Sequence, residues 1–71
     1  MTNDATRAEL LKVLSELSEL HPDWRLGQMI ANLAMSAGRT EASAIWDLED
    51  DEAIAAARRL IARRQQQVAS R

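Results

Sequence analysis

Pro22 is the chain's only proline, and together with Gly38 it cuts a sequence patterned at the helical period into three segments. A proline ring cannot continue a helix, although its fixed φ suits a first helical position, and a glycine supplies the left-handed residue that ends one. Around these breaks apolar residues recur every three or four positions, and no stretch alternates long enough to make a strand. The pattern predicts an all-α fold, a small three-helix domain with helices over about 4–20, 22–37 and 49–67 of its 71 residues. A connection as short as His21 predicts that the first two helices form an antiparallel hairpin. The segment from Arg39 to Ala44 reads as a loop.

The first and third segments are ordinary amphipathic helices. In the first, Leu10, Val13, Leu14 and Leu17 share a face, with Lys12, Ser15, Glu16 and Glu19 on the others. Thr6 followed by Glu9 has the form of a capping box, with Ala5 and Leu10 as its staple, and Asn3 or Asp4 is the alternative cap of a longer helix. In the third, Ile54, Ala57, Ile61 and Val68 make the expected core stripe, with Ala53 and Leu60 at its margin. The acids of DLEDDE, 47–52, stand at its start and the arginines of RRLIARR, 58–64, towards its end, so both runs complement the helix dipole. Asp47 or Glu49 is the expected cap.

The middle segment is apolar on most sides. Leu26, Ile30, Leu33 and Ala37 fall on one face beside Met29, while Trp24, Gln28, Ala31 and Met35 gather opposite and leave Arg25, Asn32 and Ser36 as a thin polar arc. A helix apolar around most of its circumference is usually buried around most of it. The second helix is therefore expected at the centre of the fold, between two neighbours or between one neighbour and another molecule. Gly27 costs about 1 kcal/mol against alanine inside a helix, so another backbone is expected to approach closely there.

Few residues offer chemistry. Cysteine and tyrosine are absent and there is one histidine; no disulfide or thiolate site can form, and the composition fits a reducing cytoplasm. His21, beside Pro22, reads as a turn or partly packed residue, and the serines and glycines match no nucleophile or phosphate-binding motif. The acidic run lacks the glycine and alternating spacing of a calcium loop. No catalytic, cofactor or metal site is predicted, and the chain does not read as an enzyme. No apolar run approaches the roughly 20 residues of a membrane span, and MTNDATRAE lacks the blocks of a signal peptide.

Binding to a protein, including a second copy, is the leading expectation. The candidate surface is Trp24, Gln28, Ala31 and Met35, because an apolar face with no evident cover marks an interface. The alternative is that Trp24 and Trp46 simply meet in the core. Arg25, Asn32, Asp47 and Asp50 form a candidate polar cluster, with Arg25 expected to pair with one of the acids of 47–51. Nucleic-acid binding through Arg59 and Arg63 is the other reading. Against it stand a net charge of -2 and a helical wheel that spreads Arg58 and Arg64 to opposite sides of the core stripe, where phosphate contacts need one basic face.

Arg25-Leu26-Gly27-Gln28, then Asn32, then an aromatic ahead of an acidic helix start, resembles a group of short bacterial proteins over about Pro22 to Ile54. No activity is attached to that group. The resemblance implies only that Arg25, Gln28 and Asn32 act together.

Overall fold

The computed structural model describes residues 4–39, 41 and 45–69, with side chains as far as residue 67. The alternative cap Asn3, the side chain of Val68 and most of the loop expected over 39–44 lie outside them. Among the described residues there are three α-helices and no strand: α1 Asp4–Leu20, α2 Leu26–Ser36 and α3 Asp50–Ala69. The protein is a small all-α domain.

α1 matches its expected limits, and the leucine spacing does what it predicts. Leu10, Val13 and Leu17 are buried, and Leu14 packs at the margin. The helix starts early enough that Thr6 and Glu9 both lie inside it rather than forming a cap; Ala5 is exposed and Glu9 turns to Arg58 on α3.

α2 begins four residues later than the proline suggested. The Trp24 N–H donates to His21 O at 3.0 Å, so Pro22 and Asp23 occupy the corner of a β-turn, where proline's φ is as well suited as at a helix start. Arg25 then becomes the N-cap residue, extended at φ -77° and ψ 159°. Its own side chain has no acceptor, and the Gln28 Oε1 satisfies its N–H at 2.9 Å. The far end follows the expected stop. Gly38 has φ +83°, its N–H donates to Met35 O and that of Arg39 to Ala34 O, the paired bonds of a Schellman motif.

Gly27 requires a correction. A Cβ built there meets nothing within 4 Å, and the residue lies exposed in the first turn of α2. Among the described residues no other backbone comes within that distance. The glycine's permissiveness goes unused.

α3, not α2, is the element on which the fold is built. Both other helices pack mainly against it, and its Ala53, Ala56, Ala57 and Ile61 join Leu10, Val13, Leu17 and Leu33 in one core. Arg7, near the start of α1, reaches Asp50 at the start of α3. His21, just past α1, shares a groove with Gln67 near the end of α3. The two helices therefore run side by side in the same direction, and α2 carries the chain back between them in sequence. The hairpin of α1 and α2 is held through α3 rather than by contact between its arms. Alanine explains the choice of centre, since a helix with small side chains on two adjoining stripes lets two neighbours approach closely.

Ion pairs fix the helix starts. Arg7 binds Asp50 through Nε at 2.7 Å and Nη2 at 3.1 Å; Asp50 is 9% exposed, and this two-pronged bond compensates its burial. Arg39, placed by the turn after α2, binds Glu52 in the same way at 3.1 and 2.9 Å. Glu52 also accepts from the Glu49 N–H at 3.2 Å, and the Glu49 carbonyl accepts the first bond of α3 from Ala53. Glu49 is thus the residue at the cap, as one of the two candidates for it. No described helix is long and apolar enough to cross a membrane.

Candidate interaction site

Where α2 and the end of α3 diverge, an open groove of about 550 Å³ lies between them. The connection before α2 contributes His21 and Trp24, whose rings stack at 3.8 Å and 8° from parallel. The turn at Pro22 makes that stack, because it brings residues three apart back to the same side. α2 contributes Asn32, Met35 and Ser36. From α3 come Arg59, Leu60, Arg63, Arg64 and Gln67.

The groove's shape follows from a change in side-chain size along one stripe of α3. Ala53 and Ala56 are buried and let α2 come close. One and two turns further on, Leu60 and Arg64 continue that stripe with Arg63 beside it, and these long side chains hold the two helices apart. Arg59 ties the junction, donating through Nη2 to Ser36 O and through Nε to Ser36 Oγ, so it satisfies a carbonyl at the C-terminal end of α2.

Its electrostatics are one-sided. Among the described residues three arginines line the groove and no acid does, and Arg63 and Arg64 form no ion pair. The apolar part is Trp24, Met35 and Leu60, with Met35 58% exposed. An occupant that buries apolar surface and brings negative charge fits both halves.

The expected partner-binding face is split. Trp24 and Met35 line the groove; Gln28 and Ala31 are exposed outside its lining, Gln28 being engaged with the Arg25 N–H. The polar cluster does not assemble. Asn32 is in the groove, Asp50 is buried against Arg7, and Arg25 and Asp47 are exposed. Arg25 forms no ion pair among the described residues; the partners of the acidic run are Arg7 and Arg39, which the turn geometry and the α1–α3 packing deliver. Arg58 and Arg64 do stand on opposite sides of the core stripe, Arg58 towards Glu9 and Arg64 in the groove, but Arg59 and Arg63 lie with Arg64, so three of the four arginines share one concavity.

Trp46 was missed as a surface feature. It does not meet Trp24 in the core but stands 90% exposed in the turn before α3, beside Ile45 at 46%. The signal available was its acidic surroundings, since Asp47, Glu49 and Asp51 leave no apolar face for the turn to bury beyond Leu48. Elsewhere, Arg39 beside Glu52 holds that carboxyl below its usual range, aided by the Glu49 N–H, and the guanidiniums of Arg7 and Arg39 are raised by their hydrogen bonds to Asp50 and Glu52 respectively. No group of three or more His, Cys, Asp or Glu side chains among the described residues could hold a metal ion. No family model, curated protein or solved structure matches the chain.

Proposed function

We propose that this chain is a small helical protein-binding module, a regulator, adaptor or immunity-like partner, whose contact surface is the groove between α2 and the end of α3. The observation that carries the reading is the combination of the exposed Met35 and the partly buried Trp24 and Leu60 with arginines that have no acid opposite them, among the described residues, in the same concavity. Apolar area with arginine at its edge is the usual composition of an interface centre. The reading includes no catalysis, and a cytoplasmic setting, which the lack of cysteine favours.

A second reading has its own observation. Arg63 and Arg64 beside a stacked aromatic pair also suit a single-stranded nucleic acid, which combines backbone phosphates with bases that stack. The groove's small extent and the acids at the other end of α3 favour the protein.

Affinity capture from the source cell separates the two. The wild-type chain should retain one stoichiometric protein, and Met35→Glu, at an exposed site that leaves the helices formed by circular dichroism, should lose it by at least about tenfold, the scale of a modest hot spot. Retention of the same protein by Met35→Glu rejects the groove as the contact. An oligonucleotide shifted by the wild-type chain, and released steeply with added salt, favours the second reading.

A further inference from the structure

The turn ahead of α3 has the complementary character to the groove. Ile45 and Trp46 are exposed, Trp46 almost completely, and Leu48, packed against the core, anchors the turn beneath them. Asp47, Glu49 and Asp51 follow Trp46 closely in sequence, all exposed and none in an ion pair among the described residues, although Asp47 and Glu49 lie near enough to Arg39 to raise its guanidinium. An exposed aromatic in an acidic turn thus stands at one end of α3. Arginines around Trp24, Met35 and Leu60 form the concavity at the other.

The two ends of one molecule cannot meet. Arg63 lies thirteen residues beyond Asp50 on a continuous helix, about 20 Å along its axis at 1.5 Å per residue. Trp46 precedes that helix and has no route back to its own groove while α3 is formed. The match of charge and of apolar surface is available only between molecules.

We propose that two copies of this chain associate by docking the Ile45–Asp51 turn of one into the α2–α3 groove of the other. Trp46 enters beside Trp24, Met35 and Leu60, and Asp47 and Glu49 face Arg63 and Arg64. The proposal rests on the groove being a protein-binding surface and names its occupant. The contact is small and charge-assisted, so the association is of micromolar strength and weakens with salt.

Sedimentation of the full chain from about 5 to 500 μM tests it. The wild-type chain should associate in that range, less strongly as salt is raised from about 0.1 to 0.5 M. Trp46→Ala removes the knob and keeps the groove; the double variant Arg63→Glu with Arg64→Glu spoils the groove and keeps the knob. Each alone should associate at least about tenfold more weakly. Mixed in equal amounts they should regain a pair, since one supplies an intact groove and the other an intact turn. All three positions are on the surface or groove wall, and circular dichroism checks that the helices remain. Association that persists in both variants, or that mixing fails to restore, overturns the proposal. A wild-type chain still monomeric at about 500 μM also overturns it. In that case, capture of a foreign protein that Met35→Glu abolishes leaves the groove reading standing, and no such capture removes both.

Discussion

α3 meets α1 along a closed seam and α2 across an opening groove, and the difference lies in the side chains it presents to each. Towards α1 it offers the stripe Asp50, Ile54, Ala57 and Ile61, with Ala57 fully buried, and Leu10, Val13 and Leu17 of α1 enter the same core. That seam is also electrically closed, by Arg7 on Asp50 and Glu9 on Arg58. Towards α2 the stripe begins with Ala53 and Ala56 but continues with Leu60 and Arg64. Leu60 still packs at the edge of the core, and beyond it the packing opens and Arg63 and Arg64 form no ion pair among the described residues. A single helix thus builds a closed side and an open one by exchanging alanine for long residues over two turns.

The sharpest way to break this comparison is to truncate each side. Leu17 is fully buried in the seam, and Leu17→Ala should cost about 2–5 kcal/mol, the range for a leucine removed from a core. For a domain of 71 residues, with total stability of only about 4–10 kcal/mol, the variant sits near its unfolding limit. Met35→Ala, in the groove, should change stability by no more than about 0.5 kcal/mol. Urea denaturation followed by circular dichroism measures both. Equal costs would mean that the groove is as much a core as the seam.

Gly27 gives a smaller effect of opposite sign. It stands in open space at the start of α2 with nothing for a Cβ to touch, so Gly27→Ala should raise stability by about 0.5–1 kcal/mol through helix propensity and a less flexible unfolded chain. A higher thermal midpoint with the helical content unchanged is the expected result. A lower midpoint would show that the start of α2 packs against something after all.

The smallest effect concerns pH at the join of α2 and α3. The Glu52 carboxyl is held low by Arg39 and by the Glu49 N–H, so the folded chain binds a proton there less readily than the unfolded one. Its contribution is then present above the unfolded carboxylate range and is lost as pH falls through the depressed folded value. The midpoint of the wild-type chain should exceed that of Glu52→Gln near neutrality, and the gap should close on acidification from about pH 5 to about pH 2. A gap that stays constant over that range would place the benefit of Glu52 in packing rather than charge.

Local patterns were the legible part of this molecule. The spacing of Leu10, Val13 and Leu17 located α1 and its buried face, Gly38 marked the end of α2, and the acids at 49–52 marked the start of α3. Pro22 was ambiguous because one backbone angle serves both a helix start and a β-turn corner, and the hydrogen bond from Trp24 to His21 decides between them. Among the candidate site residues, Trp24, Met35, Asn32, Arg59 and Arg63 share the groove, while Arg25 and Asp47 remain outside its lining and Asp50 is buried against Arg7.

By itself the sequence determined that this chain is helical, where its helices end within a few residues, and which faces of α1 and α3 turn inward, because each of these depends on side chains a turn or so apart. Tertiary structure decided which helix stands at the centre. A periodic apolar face says that something covers it, not which neighbour does, and the thin alanine stripes of α3 accept two partners where the bulky circumference of α2 accepts one. The ion pairs were decided at the same level. Arg7 and Asp50 are 43 positions apart, and only the docking of α1 along α3 brings a guanidinium to that carboxylate.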